Sequence, residues 1–170
     1  MPKNILLPCT FLIASSLAAT GHAEGSGALT LNLADDEYVL PLWSEQSDWS
    51  GGESWPSINI HARAPSEGGG DPLVVSLSFE ASRWEPAVPE LDLTRYKDGA
   101  VVLKLFAREE ADHGALSVTL EGHEVDGSML SLAGRFEGTM GTSDNFGRDI
   151  DLSDAVPVKG TFEVTLENLD

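Results

Sequence analysis

Residues 134–139 read GRFEGT and residues 160–165 read GTFEVT, two copies of Gly-x-Phe-Glu-x-Thr near the end of a 170-residue chain. Each copy sits in a run whose apolar residues recur at every second position: 128–139, SMLSLAGRFEGT, and 156–166, VPVKGTFEVTL. A period of two belongs to an extended strand, with one set of side chains on a core face and the other in water. In both copies the Phe points inward and the Glu and Thr beside it point outward. A glycine two residues before an inward Phe leaves room for a ring from a neighbouring strand. The two copies are therefore expected to be related core strands, adjacent in one sheet.

The same alternation extends outward from this pair. It appears in 28–33 (ALTLNL), 57–63 (SINIHAR), 72–81 (PLVVSLSFEA), 100–108 (AVVLKLFAR) and 114–122 (GALSVTLEG), and a further strand is expected over 37–42. Turn signals separate the runs, among them Lys97-Asp98-Gly99, Asp112-His113-Gly114 and Val125-Asp126-Gly127. No dozen consecutive residues beyond the N-terminal segment carry a helical apolar stripe. The pattern predicts an all-β domain, an antiparallel β-sandwich of about seven to eight strands, with a small closed barrel as the second choice. An outer-membrane barrel conflicts with the outward residues of these strands, which are Ser, Thr, Asn, Lys and Glu instead of an apolar band.

The N-terminal segment has a different character. Residues 1–23 run from a lysine through a short apolar stretch to Gly21-His22-Ala23. That is the pattern of a secretory signal peptide cleaved after Ala23, with an apolar run too short to span a bilayer. The expectation is an exported protein, periplasmic or extracellular and not membrane-spanning once processed, whose acidic β-domain occupies 24–170. The single cysteine, Cys9, lies in the leader. The processed chain would have no disulfide and no sulfur-ligand metal site, so its core must hold it together.

Residues 24–170 contain 9 basic and 28 acidic side chains, a net charge of −19. This excludes nucleic acid, whose binding depends on neutralised phosphates, and leaves neutral ligands such as glycans, cations, or another exported protein as partners.

Two segments are candidate sites. PLWSEQSDWSGGESWPS, 41–57, carries Trp43, Trp49 and Trp55 with Glu45, Gln46 and Asp48 between them. Indoles can stack on the apolar face of a sugar while acids and amides take its hydroxyls. Trp43 and Trp55 adjoin strands and are expected to anchor the loop, which leaves Trp49 as the exposed ring at its tip. Trp84 is expected to cap the sandwich. The second segment, 143–154, offers Asp144, Asn145, Asp149, Asp151 and Asp154 as oxygen ligands for calcium, although the spacing is not that of an EF-hand. Arg148 is placed to neutralise one of them. His113 and His123 bracket a strand and lie roughly 27 Å apart, too far to share an ion.

No nucleophile elbow, zinc-protease helix motif, phosphate loop or cysteine nucleophile occurs. Carboxylate pairs for a hydrolase are too easily drawn from so many acids to discriminate. The reading is a non-catalytic binding module without a cofactor, for a neutral polar ligand such as a glycan. A calcium-stabilised structural or adhesion module is the first alternative, and a hydrolase with an unidentified carboxylate pair the second.

Overall fold

The computed structural model describes residues 25–64 and 72–169. The leader read at 1–23 lies outside the described residues. Ten strands run in chain order: β1 (Ser26–Leu33), β2 (Asp36–Pro41), β3 (Asp48–Ser50), β4 (Ser57–Arg63), β5 (Leu73–Ser82), β6 (Glu85–Lys97), β7 (Ala100–Arg108), β8 (Ser117–Asp126), β9 (Met129–Thr142) and β10 (Asp151–Asn168). Among the described residues, the only helical elements are single 3-10 turns at Ser44–Gln46 and Ala111–His113. No helix among the described residues is long and apolar enough to cross a membrane.

The all-β expectation holds, with ten strands in place of seven or eight. The extra strands are β3, three residues long, and β6. Pro86 and Pro89 disguise β6 in the sequence. Pro89 falls where the β5–β6 register slips between Ser78 and Glu80, a bulge in which its missing N–H is not needed. Val88, beside it, takes φ 46°.

The ladder makes one continuous sheet in which β3 to β7, β9 and β10 close into a ring, as in the second expectation of a closed barrel, with two opposed sides that serve as layers around the core. One layer is β2-β1-β10-β9-β8 and the other is β3-β4-β5-β6-β7. They are laced at two corners. Glu167 and Asn168 of β10 pair in parallel with Asp48 and Trp49 of β3, and Gly141 of β9 pairs with Phe106 of β7. The inward residues of both layers form one core, in which the rings of Phe79 and Phe162 meet at 6.1 Å across the layers.

The repeated motif lies at the centre of the first layer. β9 and β10 are antiparallel neighbours, and their register sets Gly134 opposite Phe162 and Phe136 opposite Gly160. The two copies interlock reciprocally, each glycine making space for the other copy's ring. A Cβ on Gly134 would stand 2.5 Å from the Phe162 ring and 2.6 Å from the Thr119 carbonyl oxygen, and one on Gly160 would collide with Phe136 and the Thr30 carbonyl. Glu137 and Glu163 face water as expected.

Gly160→Ala should therefore destabilise the fold by about 1–3 kcal/mol, the usual cost of overpacking a filled site. In a double-mutant cycle with Phe136→Leu, urea unfolding should show the two changes coupled by more than about 0.5 kcal/mol, because shrinking the ring relieves part of the collision. Additive losses would mean that the ring and the glycine do not share one space.

Candidate functional site

The side chains that point away from the core on β4, β5, β6 and β7 form rows across the second layer. His61, Ser76, Asp92 and Phe106 are successive cross-strand neighbours, as are Asn59, Ser78, Glu90 and Arg108. A third row holds Arg63, Val74, Thr94 and Lys104. Both sequence candidates come to this face, one at each side of it.

On the β4 side, Leu42 bridges Ala62, and the Trp43 backbone N–H donates to the His61 carbonyl at 2.7 Å. Leu42 packs against the core, so Trp43, next in an extended chain, points outward. Its indole N–H donates to Glu45 Oε2 at 2.8 Å, and the Arg63 guanidinium lies 4.2 Å from the ring centroid. Ser47, buried beneath, pins the segment: its Oγ accepts from the His61 N–H at 2.9 Å and lies 2.9 Å from the Trp43 carbonyl oxygen. Trp43, Arg63, Val74 and Tyr96 line a cleft of about 620 Å³ with Pro41 and Leu42.

The other two tryptophans reverse the expectation. Trp49 is core, 3% exposed. It sits in β3 opposite Ile58, on the inward parity, and its indole N–H crosses the core to the Ser128 carbonyl at 3.0 Å. It is therefore not available as a ligand-binding ring. Trp55, expected to pack, is 59% exposed, and its indole N–H donates to Glu80 Oε2 at 2.8 Å. Of the polar residues between them, Glu45 and Gln46 are exposed, and Asp48 is engaged by Asn59 Nδ2 at 2.9 Å. The three indoles do not make one face at the loop's tip.

On the β7 side the aspartate segment folds over the sheet. Gly147, at φ 82°, packs so closely on Phe106 and the Arg108 guanidinium that a Cβ there would meet both. This explains why Phe106, on an outward position, is buried. Ser143 and Asn145 organise the turn. Ser143 Oγ accepts from the Gly147 N–H at 2.9 Å, and Asn145 Oδ1 accepts from the Asp149 N–H at 2.9 Å. Asn145 Nδ2 also donates to Asp149 Oδ2 at 2.5 Å. Asp151 accepts from the Ser153 backbone N–H, which holds its carboxyl below the ordinary range. Asp144, Asp154 and Arg148 make no hydrogen bond or ion pair among the described residues. The convergence of aspartates that calcium would need is not seen: among the described residues no three His, Cys, Asp or Glu side chains gather to hold a metal ion.

Sequence reasoning missed Phe146. It projects from the aspartate turn, 79% exposed and with φ 61°, and the Lys104 ammonium lies 5.5 Å from its ring centroid. Trp43 over β4 and Phe146 over β7 thus stand at opposite margins of this face, three strand spacings or roughly 14 Å apart. The only sequence signal was an apolar residue in a polar turn.

The floor between them is polar but close to neutral. Arg108 donates to Asp92 Oδ1 at 2.8 Å and lies 3.6 Å from Glu90 Oε2, so these acids are paired. The hydroxyls of Ser76, Ser78 and Thr94 make no hydrogen bond among the described residues. Burial of the His61 imidazole lowers its pKa below 6.5, against the pull of Asp48 and Asp92. The outer face of the other layer also has a groove, about 580 Å³ along Ser26, Ser131 and Glu163, but the one ring at it is His123, which is stacked on Trp84 at 4.0 Å. Compared with known proteins, the chain matches no family model, no curated protein and no solved structure.

Two outcomes follow from these placements. Trp49→Ala should destabilise the protein by about 3–5 kcal/mol, whereas Trp55→Ala should change stability by only about 0.5 kcal/mol. Acrylamide quenching should lose its most accessible component in Trp55→Phe and keep it in Trp49→Phe. For His61, the unfolded chain binds more protons than the folded one between the lowered folded pKa and 6.5. Its contribution is therefore complete above pH 6.5 and lost as pH falls through the folded value. Urea unfolding should show the stability of wild type relative to His61→Asn declining as pH drops below 6.5. A pH-independent difference would contradict the burial of a neutral imidazole.

Proposed function

We propose that this chain is an exported, non-catalytic binding module for a neutral polar ligand, a glycan, held on the outer face between Trp43 and Phe146. The observation that carries the reading is the pairing of two aromatic banks with a floor of unspent hydroxyls, on which the carboxylates of Asp92 and Glu90 are balanced by Arg108 together with Arg63 and Lys104. Sugars need this combination, with aromatic surface for the apolar face of the ring and uncharged donors and acceptors for its hydroxyls. A floor of unpaired carboxylates would favour a cation instead.

The backbone at Phe146 supports the same reading. A left-handed φ costs a phenylalanine about 1–2 kcal/mol relative to its ordinary conformation. The ring gains little burial in return, because it is 79% exposed. Strain that packing does not offset is a mark of a surface shaped for binding.

The test is a glycan array screened with the protein, followed by calorimetry of the hits. Trp43→Ala and Phe146→Ala should each weaken binding about tenfold, the scale of one lost aromatic contact. Phe146→Gly should abolish the same contact while raising unfolding stability by up to about 1 kcal/mol, since glycine accepts the left-handed φ without penalty. Failure to bind any neutral glycan, or binding indifferent to both substitutions, would remove the proposal.

A further inference from the structure

We infer that Trp55 and Glu80 form a second stacking subsite on the same outer face, reached by a neutral oligosaccharide that continues from the site at Trp43 along β4. This rests on the reading of the face between Trp43 and Phe146 as a glycan site. Trp55 has 59% of its surface exposed, yet it is not loose. Its N–H is tied to Glu80 Oε2 at 2.8 Å, and the chain around it is fixed by three backbone bonds: Trp55 N–H to the Gly52 carbonyl, Ala81 N–H to that of Pro56, and Arg83 N–H to that of Ser54. An indole held in this way is a preorganised platform, which loses little freedom when a ring stacks on it.

Its position follows from strand parity. Along β5 the residues Val75, Leu77, Phe79 and Ala81 are buried, so Glu80 lies on the outer side with Ser76 and Ser78. Glu80 is opposite Ser57 at the start of β4, while Trp43 is beside His61 nearer its end. The two indoles are thus separated by four residues of β4, roughly 14 Å along the strand. A monosaccharide cannot touch both, whereas an extended oligosaccharide can.

The strip between them suits an uncharged chain. The hydroxyls of Ser57 and Ser78 have no hydrogen-bond partner among the described residues. The two carboxylates at its margins are already engaged, Asp48 with the Asn59 amide and Glu80 with the Trp55 indole. The ligand would run from the Trp43 cleft, over these serines, to the Trp55 ring.

The experiment is calorimetry of the wild-type protein, Trp55→Ala and Trp55→Phe with cello-, xylo- and manno-oligosaccharides, from disaccharide to hexasaccharide. The expected result is about tenfold tighter binding of the hexasaccharide than of the disaccharide, the scale of one added aromatic contact. That gain should vanish in Trp55→Ala and survive in Trp55→Phe, with disaccharide affinity the same in all three. If oligosaccharides bind with no length dependence, or if Trp55→Ala keeps the gain, the subsite is wrong and the Trp43–Phe146 reading stands. If nothing in the three ladders or on the glycan array binds, both fall together.

Discussion

Everything in the fold hangs on the seam between β9 and β10, where each strand's glycine receives the other strand's phenylalanine. Two large rings facing each other on adjacent strands would overfill the core, and two glycines would leave it hollow. The alternation of Gly134 against Phe162 and Phe136 against Gly160 seats each ring over the opposite glycine. The same two strands then leave their own layer at opposite ends. β10 delivers Glu167 and Asn168 to β3, and β9 delivers Gly141 to β7, so the second layer is hydrogen-bonded to the seam at both margins. In a chain with no cysteine beyond Cys9, this lacing gives the two layers a fixed relation that a disulfide often supplies in small exported domains.

The strands were legible wherever one face is wet, because water on one side and core on the other impose the period of two. β4 reads off the sequence as SINIHAR with the same bounds in the structure. β6 did not read so clearly, since its prolines look like breakers until the bulge that accommodates them is known. β3 is too short to show a period. That one omission misplaced the tryptophans. With 43–56 taken as a loop, the place of Trp49 at its tip suggested exposure. In fact Asp48-Trp49-Ser50 is a strand with its apolar residue inward, wedged between β10 and β4. Trp55 follows the opposite logic. Adjacency to a strand was taken as anchoring, but the residues before Ser57 form a turn that leads the indole outward to Glu80.

The pairing of the two candidate segments on one face could not be read from sequence at all. The segments around Trp43 and Phe146 are about a hundred residues apart in the chain, and only the strand order brings β4 and β7 into one layer with their loops on the same side. The aspartates, too, have a role that composition hides. Asn145 and Asp149 bond within the turn, and the turn covers Phe106 and packs against Arg108. Arg108, steadied there, pairs with Asp92 and Glu90 on the floor, and Arg63 and Lys104 on the same face supply the remaining positive charge. A chain carrying −18 overall thus contains a strip that is locally near neutral, which total charge alone would not suggest.

Two aromatic residues among the described residues occupy left-handed backbone, and they differ in what packs against them. Trp84 and Arg83 form the tight β5–β6 turn at φ 65° and 53°, positions where glycine or asparagine is favoured. Trp84 recovers the cost in packing: its ring stacks on His123 of β8 at 4.0 Å and rests against the core, closing the gap between the two layers. Phe146 makes no such contact. Its turn is already fixed by Ser143, Asn145 and Gly147, none of which needs a ring at the intervening position. Glycine there would preserve every one of those bonds and remove the strain. In the glycan binding proposed above, the phenylalanine at that place would recover its cost on contact with the ligand, since its own turn gives it no packing to recover it from.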